Sequence, residues 1–371
     1  MNINEWEQLE LSRKVININK QEVEKIEENK ISLNIVYIMV WTKVCGGSKI
    51  ILEHANRLVR KNQNVTIVTY DEKPQWFKLE EKVNFIQVPE KENIKKYIPE
   101  CDLIVATSWK CIYEAVDSNI APVVFFEQGG SHLFEIENID KNKLDIIKHR
   151  INLVPFVYTV SSYARDKMLE IYNQDAEVIC NSVEPTVFYP REENNKSNDN
   201  IELAIIGSED FKFKNIEEIL QAYRLLVSKY DNLQLNWITQ TQPTKNPEKA
   251  IVNPPQKEIG NILRKSDIYI CNSEYESFGL PTLEAMTCGA AVITTDTGGM
   301  RDFVIENENG LIAQKHNKDD LVEKIERLIK DKELRNKLSK NGMETAKKFS
   351  WDEIINQLIK YYQEIAKYKI K

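Results

Sequence analysis

The chain has no run of apolar residues near the ~18 that would span a membrane, no Cys-x-x-Cys pair, no Asp-x-Asp and only four histidines among 371 residues. Each gap removes a class of function. With no spanning run, and with a polar, acidic start (MNINEWEQLELSRK) unlike a signal peptide, a cytoplasmic protein is expected. The six cysteines, at 45, 101, 111, 180, 271 and 288, suit neither a disulfide frame nor a zinc site, and reduced core thiols are expected. Without Asp-x-Asp, no metal is expected to hold a diphosphate. The Gly46-Gly47 pair does not complete the G-x-G-x-x-G of a nicotinamide site, so a dehydrogenase fits poorly although Asp71 is present. A net charge of -7 argues against a general nucleic-acid binder, whereas a local basic patch at the inner face of a membrane is compatible with it.

What is present is a long α/β alternation. The hydrophobic share of 42% and charged share of 29% describe a soluble globular chain long enough for two domains. Residues 33–40 (LNIVYIMV) read as a buried strand, Gly46-Gly47 turns the chain into a helix over 50–60, and 65–69 is the next strand. Further strands are expected at 84–88, 103–107, 122–126, 155–161 and 177–180, with helices at 93–98, 110–116 and 163–172, the last capped by Ser162. The strand at 122–126 runs into the polar glycine loop Glu127 to His132, at the kind of strand end where ligands of open α/β sheets collect. Residues 191–200 (REENNKSNDN) have a linker's composition, and the pattern then restarts at 201–206. Helices follow over 216–230, 256–265, 318–348 and 351–368, the third with Leu321, Ile325, Leu328 and Ile329 on one face. The domains expected are 31–190 with 351–371, and 200–350. Residues 1–30 carry no assigned function; 20–30 could form a docked helix or belong to a loose tail.

The most informative stretch is 266–311. Its strand, Asp267 to Cys271, breaks into a polar loop with Glu274, Glu276 and Ser277, and Phe278-Gly279-Leu280-Pro281 starts a helix. Pro281 suits a first turn, where its missing N–H is not needed. Gly289 ends that helix, Ala291 to Thr295 is a strand, and Thr297-Gly298-Gly299 makes a turn. A strand, a glycine loop and a helix start present backbone N–H groups and a positive dipole end to an anion. Glu276 and Glu284 frame that edge, and carboxylates accept hydroxyl hydrogen bonds, as a ribose diol or a sugar ring offers. Phosphate at the amides and hydroxyls at the acids describe a nucleotide sugar. For an arbitrary pair of glutamates, solvated charge is the commoner explanation. The fixed order of strand, Gly-Leu-Pro start and glycine turn favours a site.

This stretch resembles the signature of family 4 glycosyltransferases of the GT-B fold, in Glu276, Phe278-Gly279-Leu280-Pro281, Glu284-Ala285-Met286, Gly289 and Gly298-Gly299. The resemblance implies an α/β fold of two Rossmann-like, doubly wound domains facing across a cleft. It implies retaining transfer of a hexose or deoxyhexose from a UDP-, GDP- or dTDP-sugar to a glycan, lipid-linked or protein acceptor, with no metal or other cofactor. Donor contacts are implied at Glu284, Ser277, Phe278, Gly279, Leu280, Gly207, Ser208, Gly46 and Gly47. Catalytic roles fall to Glu276, at the sugar hydroxyls, and to Lys214 with Lys212 as its helper, at the leaving diphosphate. His132 is the candidate of the first domain, and Gln128-Gly129-Gly130 resembles a loop of bacterial cell-surface rhamnosyl transferases. The family's usual Arg after the loop glycine is absent; Ser208 stands there. Two rivals remain, a nucleotide-sugar 2-epimerase and a non-catalytic binding partner.

Overall fold

The computed structural model describes residues 18–26, 30–191 and 200–371. The chain divides into two compact units, the first running to Cys180 and taking in Asp352–Lys371, the second Asn181–Trp351.

In unit 1, β1 (Val23–Lys25) stands apart from a seven-stranded sheet made of β2 (Asn34–Met39), β3 (Asn64–Thr69), β4 (Asn84–Gln87), β5 (Leu103–Ala106), β6 (Val123–Glu127), β7 (Phe156–Thr159) and β8 (Glu177–Val178). The order is β4-β3-β2-β5-β6-β7-β8, and every pairing is parallel. Parallel strands are covered by helices on both faces, which is why β2 and β6 read as unbroken apolar runs and are buried almost throughout. The order reverses between β2 and β5, so the connections leaving their carboxyl ends go to opposite faces and open a crevice there. The Gly46–Arg60 helix starts at that crevice, with Cys45 as its N-cap.

Unit 2 repeats the plan with β9 (Ile201–Ile206), β10 (Leu233–Thr239), β11 (Ala250–Val252), β12 (Ile268–Cys271), β13 (Ala291–Thr295) and β14 (Gly310–Ala313). Their order is β11-β10-β9-β12-β13-β14, again all parallel, and the reversal falls between β9 and β12. Trp237, Ile205, Ile270 and Ile293 lie in one buried core with Ile219 and Leu220 of the helix Ile216–Val227.

From Asp352 on, the helix Trp351–Ile365 packs in unit 1. Its Tyr362 hydroxyl meets those of Tyr37 and Tyr158, each at 2.8 Å, with all three rings buried. Pairing the three hydroxyls with one another satisfies polar groups that would otherwise be costly at that depth. A final strand, β15 (Tyr368–Ile370), pairs antiparallel with β1.

Several elements differ from expectation. Of the two alternatives for 20–30, a docked helix is not formed among the described residues: 23–25 make the strand β1, because β15 offers it a partner, and residues 27–29 lie outside the described residues. The expected helix over 351–368 ends at Ile365 to release β15. The long helix over 318–348 is two, Lys318–Lys330 and Lys332–Ala346, since the Asp331 side chain accepts from Leu334 N and caps the second. Residues 94–97 make only a 3₁₀ turn, as Pro99 disfavours helical geometry at Ile98. Ser161, not Ser162, caps the helix Ser162–Tyr172, its Oγ accepting from Ala164 N. Residues 181–190 belong to unit 2 rather than unit 1, held by Ser182 Oγ donating to Phe349 O and Arg264 Nη1 to Val187 O, with the Arg264 guanidinium 3.9 Å over the Tyr189 ring. Within the expected linker, residues 192–199 lie outside the described residues.

Candidate active site

The reversal between β9 and β12 sets two loops of unit 2 side by side. The first, after β9, carries Gly207, Ser208 and a 3₁₀ turn over Lys212–Lys214, then Asn215 in the left-handed region (φ 47°) before the helix. The second, after β12, carries Asn272 to Gly279 and leads into the helix Leu280–Cys288. Three contacts tie them. Glu274 N donates to Phe213 O at 2.7 Å, the rings of Phe213 and Tyr275 stack with centroids 4.8 Å apart, and Asn215 Nδ2 donates to the Glu274 carboxylate. His316 adds a contact to Glu274 at 3.2 Å.

That clasp brings Lys214 to Glu276, Nζ to Oε1, at 2.5 Å, with both side chains mostly buried. Burial opposes the charge on Lys214, but the Glu276 carboxylate, with Cys271 behind it, outweighs that penalty and holds the lysine pKa above its usual value. The ammonium therefore stays charged through the neutral range. Ser273 Oγ also donates to Glu276 Oε1, at 2.8 Å, and Cys271 Sγ lies 3.9 Å from the same oxygen. All described side-chain contacts of Glu276 thus fall on Oε1, which leaves Oε2 to accept from a ligand.

The backbone at Glu276 is fixed by the glycine turn. Glu276 N donates to Thr297 O, and Gly299 N donates to Glu276 O, both at 3.1 Å. Gly298 (φ 84°) makes the turn possible, and Gly279 (φ 96°) does the same for the helix start, where Pro281 occupies the first turn. Phe278 is buried against Phe303 and Phe349, which anchors the loop end. Glu284 is buried on the helix that follows. Burial first, and then Cys271, Glu276 and Glu284, push the Tyr269 hydroxyl pKa well above its ordinary value, so both glutamates act on one tyrosine.

Around this pair, buried polar atoms lack protein partners: both side-chain atoms of Asn272, Ser277 Oγ and Thr297 Oγ1. Buried polar groups are almost always hydrogen-bonded, and leaving one unpaired costs about 1–3 kcal/mol. Four such atoms at the carboxyl ends of β12 and β13 mark a place built for a polar ligand.

Other expected residues are placed differently. Lys212 is exposed and has no described side-chain partner, so the structure does not bring it to Glu276. Ser208 Oγ bonds Thr241 Oγ1 (2.7 Å) and Asp210 Oδ2 (3.1 Å), and Gly207 O accepts from Trp237 Nε1. Where the family's Arg would bring positive charge, this chain knots a hydroxyl pair to an aspartate.

Ser273 escaped the sequence reading, because a serine after a strand has no distinguishing pattern. Its own carbonyl accepts from Thr295 Oγ1 at 2.5 Å, so β13 steadies the residue that steadies Glu276. Ser273→Ala is expected to lower the turnover of the site's reaction about tenfold, the equivalent of one lost hydrogen bond to a charged group. Ser273→Thr should restore much of it. Equal rates for Ser273→Ala and the parent would remove Ser273 from the site.

Unit 1 holds a second feature at its own reversal. Gly47, Glu127, Gln128 and His132 line a cavity of about 500 Å³. His132 Nε2 lies 2.8 Å from Glu127 Oε2, and Glu127 Oε1 accepts from Gly129 N. Gly46 and Gly47 are the first residues of the Gly46–Arg60 helix. His54, on the same helix, is stacked on Phe126, and burial lowers its pKa to about 3, so it is a neutral core residue.

Among the described residues no group of His, Cys, Asp and Glu is placed to hold a metal ion, and no helix is long and apolar enough to cross a membrane.

Residues 190–345 match the model of the family described as glycosyl transferases group 1. An uncharacterized glycosyltransferase of Methanocaldococcus jannaschii, MJ1178, is 41% identical over 109 residues, 29% of this chain and 31% of that one. The N-acetyl-alpha-D-glucosaminyl L-malate synthase of Bacillus anthracis is 24% identical over 210 residues, 53% of this chain and 55% of that one. The chain thus spans between about a third and just over half of the length of these curated relatives. The fold matches over more of its length: Anabaena Alr3699/HepE, solved with UDP-glucose, aligns with a TM-score of 0.73 at 15% identity, covering 89% of this chain and 98% of that one. The chain thus has the GT-B fold, and its residues 190–345 are similar to the group 1 glycosyl transferases.

Proposed function

We propose that the chain is a retaining glycosyltransferase that moves a hexose or deoxyhexose from a nucleoside diphosphate sugar to an acceptor hydroxyl. The observation that carries this reading is the Lys214–Glu276 pair set among four unpaired buried polar atoms. The solved GT-B protein with UDP-glucose supports the donor class.

In this reading the diphosphate lies at the amides of Gly279 and Leu280, with Lys214 beside it. Glu284 accepts from the ribose diol and Glu276 Oε2 from hydroxyls of the donor sugar. The bond from the anomeric carbon to the diphosphate breaks, and the acceptor oxygen bonds that carbon from the same face. The acceptor's proton passes to the departing phosphate oxygen, so no protein base is needed. Negative charge grows on the diphosphate as this happens, and a positioned donor that meets such charge is worth about 3 kcal/mol. Lys214 and the helix-start amides supply that here, with no divalent ion required.

A panel of uridine, guanosine and thymidine diphosphate sugars tests the reading by thermal shift. A donor at 100 times its Kd stabilises the folded chain by about 2.7 kcal/mol, which raises the melting temperature by several degrees. Slow donor hydrolysis without added acceptor or metal is expected for the sugar giving the largest shift. Strict dependence on manganese, or no shift with any member of the panel, would contradict the proposal. Interconversion of the sugar at C2 without acceptor would identify an epimerase instead.

A further inference from the structure

Lys214 is neutralised by a neighbour in its own unit. Its ammonium lies 2.5 Å from Glu276 Oε1, and only 18% of the lysine side chain and 14% of the glutamate's are exposed. Water screens such a pair weakly, so an anion placed beside Lys214 meets the Glu276 carboxylate as well as the ammonium. The neighbouring groups do not make up the difference. Ser208 stands where the resemblance implies an arginine, and its hydroxyl is tied to Asp210, a further carboxylate. Lys212 is exposed, Lys315 Nζ donates to Glu274 O, and His316 faces the Glu274 carboxylate.

Glu276 cannot withdraw from Lys214 without losing other bonds. Ser273 Oγ donates to the same carboxylate oxygen at 2.8 Å, and the backbone of Glu276 is bonded to Thr297 O and Gly299 N. The carboxylate is thus a fixed negative charge beside the lysine, with Oε2 free of described contacts. Hydroxyl groups that donate to Oε2 would offset its repulsion of a nearby anion, and an anion that brings no hydroxyl there meets the repulsion in full.

We propose that Glu276 makes the site discriminate between a diphosphate that carries a sugar and one that does not, weakening the hold on the bare diphosphate. The identity of the two ligands rests on the glycosyl-transfer reading above; the effect of the carboxylate on an anion rests on the Lys214–Glu276 geometry alone. The consequence is a device for product release. Once the sugar has moved to the acceptor, the nucleoside diphosphate left behind faces a carboxylate with no hydroxyl on it and dissociates faster.

The test is calorimetric titration of the full chain with inorganic pyrophosphate, without donor or metal. Glu276→Gln keeps the shape and removes the charge, and it is expected to bind pyrophosphate about tenfold tighter than the parent, while Glu276→Asp, which keeps the charge, stays near the parent. A merely structural role for Glu276 gives weaker binding in both variants. Parental, weaker or undetectable binding by Glu276→Gln would overturn the proposal, as would equal tightening in Glu276→Asp. Because Glu276→Gln leaves Lys214 without its partner, melting curves are recorded. Should that variant not fold, Lys214→Met and Lys214→Met/Glu276→Gln decide the matter: the double variant, which keeps neither charge, must bind pyrophosphate tighter than the single one, and equal affinities would overturn the proposal. Tightening by Glu276→Gln in a chain that consumes no nucleotide sugar would sink the transfer reading and leave the effect of Glu276 standing. Donor hydrolysis by a chain whose pyrophosphate affinity ignores Glu276→Gln would do the reverse.

Discussion

Lys214→Ala is expected to lower kcat/KM for the nucleotide sugar by about 10²–10³-fold, the loss seen when one preorganised donor is taken from developing charge. The lysine is held 2.5 Å from Glu276 in a mostly buried setting, with a pKa raised by that carboxylate against the opposing effect of burial, so in the proposed transfer it would present full positive charge to the departing diphosphate without reorganisation. Glu276→Gln should lose a comparable factor for a different reason. It keeps the shape but withdraws the acceptor that Oε2 offers to sugar hydroxyls, and it frees Lys214 from its partner. Because the two side chains touch, their effects are not expected to add. The double variant should be little worse than the more damaged single one, with a coupling of about 1–3 kcal/mol. Steady-state donor hydrolysis for the four proteins measures it. Full additivity would mean that the pair does not act as a unit, and a Lys214→Ala variant at parental rate would remove the lysine from the chemistry.

Much of this site could be read from residue order alone, for a physical reason. Strands buried on both faces of a parallel sheet are short, continuous apolar runs, and those of β9 and β13 end in polar glycine loops that can only be strand ends. The helix starting at Leu280 declares itself through Pro281 at one end and Gly289, in the left-handed region, at the other. What could not be read depends on partners distant in the chain. Val23 to Lys25 look like any charged helical stretch until Tyr368–Ile370 pairs with them. Asp331 lies within an unbroken helical period, so only its bond to Leu334 N reveals a cap. Lys214 is the favoured lysine and Lys212 its expected helper, but only the turn that contains them shows that Lys214 meets Glu276 while Lys212 is left exposed. The missing arginine at Ser208 was visible, but its replacement by a Ser208–Asp210–Thr241 knot was not.

Gly299→Ala is expected to be the most damaging single methyl that can be added to unit 2. A Cβ at this position would overlap the carbonyl oxygens of Glu276 and Ser277, which are backbone atoms and cannot rotate aside. The same stretch carries the hydrogen bond from Gly299 N to Glu276 O, so the two segments cannot separate without losing it. Overpacking of this kind typically costs about 1–3 kcal/mol, and backbone overlap belongs at the upper end. For a chain of this size that corresponds to a fall of several degrees in melting temperature. Function should suffer more than stability, because relief of the overlap moves Glu276 relative to Lys214 and displaces Ser277, whose buried hydroxyl awaits a partner. Gly342→Ala supplies the contrast. It lies inside the helix Lys332–Ala346, and its added Cβ would meet the flexible Met286 side chain at 3.3 Å. That contact can yield, and alanine gains up to about 1 kcal/mol in helix propensity over glycine, so the melting temperature should stay near the parent's. Donor-induced thermal shifts of both variants decide the issue: the shift should vanish in Gly299→Ala and persist in Gly342→Ala. A Gly299→Ala protein with the parent's melting temperature and donor response would show that the turn does not hold Glu276 in place.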